Sequence, residues 1–230
     1  MKVAILLSGC GIGDGSQIEE VILTYLALDK YQIDYVCFAP DRVQIHTYNH
    51  LSDTIDVDET RNILIESARI GRGRIFALKS INYDEFDALI IPGGQGVFKN
   101  LSDYFIAKDS YRVDEEVDQL IKRFYVSHKP IGAICGASLL VGRSLLNEVN
   151  SLYLSTSNNS FMKIFENKRI EFLDTKSSEC LVDKKNKVIS TPAFIGSQNL
   201  YEIMHGIDNL VKNLMLYYLQ NVKTLHAKRK

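Results

Sequence analysis

Short apolar runs alternate along this chain with longer segments in which apolar residues return every three or four positions. That pattern predicts a parallel sheet covered by helices. Val3–Ser8 reads as the first strand and ends in a glycine-rich loop. A helix follows from Ser16 to about Leu28, with Ile18, Val21, Ile22, Tyr25 and Leu28 on one face. Ser16, with Glu19 three residues on, has the capping-box spacing. "DYVCFAP" is a second strand stopped by Pro40, and "DETRNILIESARI" a helix that starts near Asp58 or Thr60 and closes at Gly71. "DALIIPGG" is a buried strand broken by Pro92. Helical stretches over roughly 96–107 and 113–127 come next. "PIGAIC" is a strand entered through Pro130, "GASLLVGRSLL" its helix, and "KNKVIST" a late strand. A long terminal helix has Gly206 as its weak point. Residues 151–180 read as an irregular excursion holding short strands such as "RIEFLD".

With 230 residues and no linker, repeat or low-complexity stretch, the pattern fits one domain over 1–222 and a basic tail over 223–230. A net charge of −1 offers no electrostatic footprint for nucleic acid or a membrane surface. The apolar run Val3–Leu7 is too short for a signal segment or a spanning helix. Four scattered cysteines without a C-x-x-C then read as reduced thiols of a cytoplasmic protein. His46 and His50 lie four apart without the Glu of a zinc motif, so no metal site is expected and a hydrogen-bonding role is assigned to them.

In a sheet of this kind ligands collect beyond the carboxyl ends of the strands. Three glycine-rich junctions fall there: "SGCGIGDGS", "PGGQG" and "CGAS". Cys135 sits at the last of them, with Ala133 and Ala137 two residues to either side and Gly136 directly after it. Small neighbours at that spacing suit a nucleophile on a sharp strand-to-helix turn. The N-terminus of the following helix favours a thiolate, and the Gly136 N–H can face an oxyanion. The same spacing also suits an ordinary buried cysteine. Glu20, one turn into the first helix, can sit at the core edge, where desolvation raises its proton affinity, or face solvent like Glu19. The alternating Gly9, Gly11, Gly13 and Gly15 do not make G-x-G-x-x-G, and Asp14 among them would repel a pyrophosphate. No phosphate-cradling loop is present either, and no cofactor is expected.

Taken together, "ILLSGCGIGDGSQIEEVILTYLALD", "ETRNILIESARIGRG", "DALIIPGGQGVFKNLSD", "KPIGAICGAS" and "KVISTPAF" resemble the ElbB-type proteins. These are isoprenoid-biosynthesis proteins with an amidotransferase-like domain, in the superfamily of PfpI-type proteases, the Parkinson's-linked deglycase and class I glutamine amidotransferases. The resemblance implies a flavodoxin-like three-layer α/β/α sandwich with a mostly parallel sheet and a nucleophile elbow. It also implies Cys135 as the elbow cysteine, Glu20 facing it, and Gly94 joining Gly136 as an oxyanion donor. Cys10, Gly11, Asp14, Gln95 and Phe98 then line the pocket. Gln95, Val97 and Phe98 depart from the branch's usual "PGGFGAAKNL", and Phe98 either narrows the pocket or packs beneath the loop.

The implied activity is cofactor-free glyoxalase chemistry on small aldehydes such as glyoxal and methylglyoxal, run by Cys135 and Glu20. The rival is a redox-responsive protein with an oxidisable, low-pKa Cys135 and Cys10 as resolving thiol. A glutaminase-like subunit is third, since "LYLSTSNNSF" carries no histidine where those relatives place one. The aromatic terminal helix, with Tyr201, Tyr217 and Tyr218, either covers the sheet or makes a homodimer interface.

Overall fold

The computed structural model describes residues 1–158, 163–165 and 169–227, with side chains described as far as residue 222. In the main sheet β1 (Lys2–Leu6) lies between β2 (Asp34–Ala39) and the central strand β6 (Ala88–Ile91). Outside β2 is β5 (Ile75–Ala77). On the other side the sheet continues through β7 (Ile131–Ile134), β11 (Val188–Thr191) and β10 (Leu181–Asp183). Neighbours run parallel except β10, which is antiparallel to β11.

The central strands read as unbroken apolar runs because both faces are covered. Val3, Ile5, Ile90, Ile134 and Ile189 face α1 (Ile18–Lys30) and α7 (Leu200–Ala227), meeting Val21, Leu28, Ile207 and Leu210. Leu6, Leu89, Ile91 and Ala133 face α5 (Glu115–Val126) and α6 (Ala137–Leu145), meeting Val117, Leu120, Phe124 and Leu140. Each fully buried side chain of this size contributes about 2 kcal/mol relative to exposure. The two cores make a flavodoxin-like α/β/α sandwich, and every parallel strand delivers its carboxyl end to one rim.

Several elements differ from the sequence pattern. Gln17, not Ser16, caps α1 by accepting the Glu19 N–H, because the Ser16 hydroxyl is committed at 3.1 Å to that of Ser8. Helix α1 is also rotated from its apolar stripe. Glu20, Val21, Thr24 and Leu28 turn inward, whereas Ile18 and Ile22 are exposed. Asn62 caps α2 (Ile63–Ile70), so that helix starts after Asp58 and Thr60. The stretch 96–107 splits into α3 (Gly96–Lys99) and α4 (Tyr104–Ala107), since Asn100 turns its amide to the Ser8 and Asp14 carbonyls.

The excursion holds a parallel pair, β8 (Leu152–Thr156) and β9 (Ile170–Asp174). A hairpin of β3 (Thr47–Asn49) and β4 (Thr54–Asp56) was not signalled by the sequence pattern. Helix α7 runs to Ala227, so the basic tail begins as helix and its last three residues lie outside the described residues. Along α7 Tyr201 is exposed, while Tyr217 packs on the core.

Gly206 is a packing contact rather than a weak point. A Cβ there would collide with the Ser177 carbonyl and stand 2.6 Å from the Thr191 hydroxyl. Gly206→Ala is therefore expected to cost about 1–3 kcal/mol. The same change in an exposed helix interior gains roughly 1 kcal/mol, so urea unfolding reads the sign directly.

Candidate active site

At the rim the first βα junction, the turn after β6 and the turn after β7 come into contact. The Gln17 N–H donates to Gly93 O at 2.9 Å, Gln95 N–H to Ile12 O at 2.9 Å, and Gly96 N–H to Gly15 O at 2.9 Å. Side chains on the intervening turn would prevent this approach. A Cβ on Gly93 would lie 2.5 Å from Cys135 Cβ and 2.8 Å from Glu20 Oε2. Gly94 has φ of 103°, a conformation that L side chains rarely adopt, and a Cβ there would meet the Gln17 nitrogen at 2.6 Å.

Cys135 occupies a sharp turn. Its φ is 58°, its N–H donates to Thr191 O at 2.8 Å, and its carbonyl accepts the Ser138 N–H at 3.2 Å. A left-handed φ at a residue with a Cβ costs on the order of 1–3 kcal/mol and persists because both neighbours hold it. The thiol is partly buried, and the Gly94 and Gly136 N–H groups point at the sulfur. Glu20 is wholly buried. Its Oε2 accepts the Gly93 N–H at 2.8 Å, and its carboxyl faces the Cys135 thiol, both packed against that glycine. Oε1 is buried without a hydrogen-bond partner.

Burial pushes the Glu20 carboxyl up to about 7, against the Gly93 N–H and the thiol, which favour its ionised form. Cys135 is also raised, first by burial and then by the facing carboxylate, whereas the Gly136 and Gly94 N–H groups pull the other way. The low-pKa thiolate expected from the α6 N-terminus is therefore corrected. Desolvation and a neighbouring carboxylate outweigh the helix end, and the two groups act as a coupled pair that keeps its protons.

On the same rim opens a cleft of about 840 Å³, walled by Cys10, Gly11, Gln17, Tyr48, His50 and Phe194 among others but not by Cys135 or Glu20. Cys10 and Gly11 lie on the wall of this cleft, and burial raises the Cys10 thiol in spite of nearby Arg69. Asp14 is not on the cleft. It is buried under the glycine loop, where Oδ2 accepts from Gln44 Nε2 at 3.0 Å and the Tyr48 N–H at 2.8 Å. Gln95 is exposed at the start of α3, away from the cleft wall. The Phe98 ring packs against Gly136 and lies 5.0 Å from that of Tyr104, so it supports the elbow from behind. His50 Nε2 accepts the Gly13 N–H at 3.1 Å and His46 stacks edge-on with Phe105, consistent with hydrogen-bonding and packing roles. His128 and His205 also lie elsewhere, against Lys187 and Tyr201.

Sequence reasoning named Gly94 but passed over Gly93, which binds Glu20 directly, although the doubled glycine of "PGG" was the available signal. It also passed over Phe194 and Thr191, which no local pattern distinguishes.

A cysteine elbow, a buried glutamate facing it and paired backbone donors on an α/β/α sandwich define a class of proteins. The chain belongs to the DJ-1/PfpI family, whose model matches residues 1–196. It is 35% identical over 220 residues to human glutamine amidotransferase-like class 1 domain-containing protein 3, mitochondrial, covering 93% of this chain and 82% of that one. Identity to the rat ES1 protein homolog, mitochondrial, is 34% over 220 residues, covering 93% and 83%. The isoprenoid biosynthesis protein with amidotransferase-like domain from Ehrlichia chaffeensis superposes with a TM-score of 0.86 at 32% identity, over 94% of this chain and 100% of that one. A deglycase of Pyrococcus abyssi is 31% identical over 71 residues, 30% of this chain and 36% of that one. Relatives named as mitochondrial point away from the cytoplasmic location expected from the sequence, and that expectation is corrected here.

The pair makes a stability prediction. An ordinary glutamate titrates near 4.5, whereas Glu20 in the folded chain holds its proton to about 7. Across that window the folded state binds a proton the unfolded chain has released, so stability falls as pH rises. At about 1.36 kcal/mol per pH unit the loss is about 3 kcal/mol. Urea unfolding at about pH 5 and about pH 8 should show this loss in the wild type and lack it in Glu20→Gln.

Proposed function

We propose that this chain is a cofactor-free, glyoxalase-like enzyme that converts small 2-oxoaldehydes such as glyoxal and methylglyoxal to 2-hydroxy acids. The observation that carries the reading is the placement of the Cys135 thiol and the wholly buried Glu20 carboxyl together against Gly93, with Gly94 and Gly136 N–H groups facing the sulfur. A resting thiol beside a carboxyl that titrates near neutrality can pass its proton across when an electrophile arrives. Sulfur then adds to the aldehyde carbon, and the Gly94 and Gly136 N–H groups receive the oxygen that gains the charge.

Glu20 hands the thiol's proton to that oxygen, then removes the proton from the aldehyde carbon and returns it to the adjacent carbonyl carbon. The hydroxyl proton of the hemithioacetal passes to the former ketone oxygen. The ketone is reduced to an alcohol as the hemithioacetal carbon is oxidised to a thioester, with no external electron acceptor. Water hydrolyses the thioester, releasing the 2-hydroxy acid and the thiol. A pKa near 7 suits Glu20 to both directions of transfer. The similarity to the Pyrococcus deglycase supports aldehyde chemistry of this general kind.

The redox reading requires a thiolate at neutral pH, which burial and the Glu20 charge oppose. The glutaminase reading requires an imidazole at Cys135, whereas the side chains of His46, His50 and His205 meet Phe105, the Gly13 N–H and Tyr201.

Incubation with methylglyoxal should yield lactate. Cys135→Ala is expected to lower the rate at least about a thousandfold, and Glu20→Gln by roughly a hundredfold or more. Equal rates for wild type and Cys135→Ala would end the proposal.

A further inference from the structure

A second cavity lies away from the rim, at the amino ends of β2 and β5. It is a groove of about 520 Å³, a size at which small-molecule sites are common. Its floor is β2, through Tyr35 and Cys37, and one wall is α1, through Ile22, Tyr25 and Leu26. The other wall is the turn over 71–74, between α2 and β5. Ile22 and Leu26 lie one turn apart on α1, half-exposed, and both edge this groove. The rotation that buries Glu20 at one end of the helix therefore leaves an apolar wall at the other.

The Tyr25 and Tyr35 rings stack with centroids 4.9 Å apart and planes within 11°. The Tyr25 hydroxyl is engaged with the Cys37 sulfur at 3.1 Å, so it is the aromatic surface that the pair offers to a ligand. Four charges surround this floor. Asp29 and Asp34 stand near the end of α1 and at the start of β2, and Arg72 and Arg74 on the opposite turn. Among the described residues, none of these four side chains makes an ion pair or a hydrogen bond. Arg72 and Gly73 have φ of 53° and 71°, and through this left-handed step both arginines line the one groove. The charges act together on Tyr35: burial raises its hydroxyl, Asp29 and Cys37 add to the rise, and Arg72 and Arg74 oppose it.

Such a lining asks for three things in one small molecule. A flat apolar body suits Ile22, Leu26 and the stacked tyrosines. A fixed anion suits two unpaired guanidinium forks, whose geometry matches phosphate oxygens. Hydroxyl donors suit the two carboxylates, which only accept. An aromatic carboxylate leaves the aspartates unmet, and a cationic amphiphile leaves the arginines unmet. We propose that the groove binds a nucleoside monophosphate, its base against Tyr35 and the α1 wall, its phosphate on Arg72 and Arg74, and its ribose hydroxyls toward Asp29 and Asp34. The site is separate from Cys135 and independent of the reaction assigned to it.

The experiment is isothermal titration calorimetry of the full chain with AMP, GMP, CMP and UMP, and with the matching nucleosides and inorganic phosphate as controls. At least one nucleotide should saturate the chain, and bind about tenfold or more tightly than its nucleoside or phosphate alone. Arg72→Ala and Arg74→Ala together should weaken that nucleotide about tenfold or more and leave the nucleoside unchanged. Leu26→Asp should weaken nucleotide and nucleoside alike. Cys135→Ala should bind as the wild type does, because the groove contains no residue of the rim site. Both arginines are exposed, and an unchanged melting temperature in the double variant checks that the fold survives. Should it not, Arg72→Gln with Arg74→Gln is read in the same way.

Inorganic phosphate binding as tightly as the nucleotide would reduce the groove to an anion site and overturn the proposal. A nucleotide affinity that survives loss of both arginines overturns it too, as does no saturation by any of the four up to about 1 mM.

Discussion

Two backbone hydrogen bonds hold the site together: Gln17 N–H to Gly93 O at 2.9 Å, and Gly93 N–H to Glu20 Oε2 at 2.8 Å. The first locks the start of α1 to the turn after β6. The second brings the carboxylate of that helix onto the same turn, beside the elbow cysteine. Neither bond can form unless the backbone of the turn comes within van der Waals distance of both partners, so positions 93 and 94 are glycine. The rotation of α1 that buries Glu20 and exposes Ile18 and Ile22 follows from the same attachment. A helix docked only by its apolar stripe would have turned those isoleucines inward and left Glu20 near the edge.

The electrostatics follow from that geometry. A carboxylate withdrawn from water is expensive unless it is hydrogen-bonded, and one 2.8 Å bond from Gly93 compensates it only in part. Glu20 therefore titrates near neutrality, and the thiol beside it stays protonated for the same reason of desolvation. The pair behaves as a proton reservoir more than as a standing nucleophile. Sulfur becomes nucleophilic when its proton crosses to Glu20, and the N–H groups of Gly94 and Gly136 then stabilise the charge. This separates Cys135 from Cys10, which shares the rim and a raised pKa but faces Arg69 and the open cleft instead of a buried carboxyl.

Much of this was legible in the chain. Short apolar runs marked the central strands, which are covered on both faces, and apolar residues returning every three or four positions marked the main helices. The small residues around Cys135 announced an elbow, since tight turns tolerate little else. What the sequence misjudged was set by tertiary contacts. Ser16 looks like a cap, yet its hydroxyl bonds to Ser8 and Gln17 caps the helix instead. Asp14 looks like a pocket residue, yet the β3–β4 hairpin folds over it and consumes its Oδ2. The helix end after Cys135 looks acidifying, yet the burial of the thiol and then the Glu20 carboxylate facing it, both invisible in a local pattern, reverse the sign. Thr191 reaches Cys135 only through the crossing of β11 beside β7, and no spacing within its own segment signals it.

The central claim is that Glu20 and Cys135 share a proton in a desolvated site. An infrared titration of the Glu20 carboxyl, assigned by difference against Glu20→Gln, tests it most directly. The account predicts a protonated carbonyl band that persists to about pH 7 and shifts in frequency in Cys135→Ala, because the thiol facing it is gone. A carboxyl that ionises at about 4.5, as an ordinary glutamate does, and a band indifferent to Cys135 would contradict it.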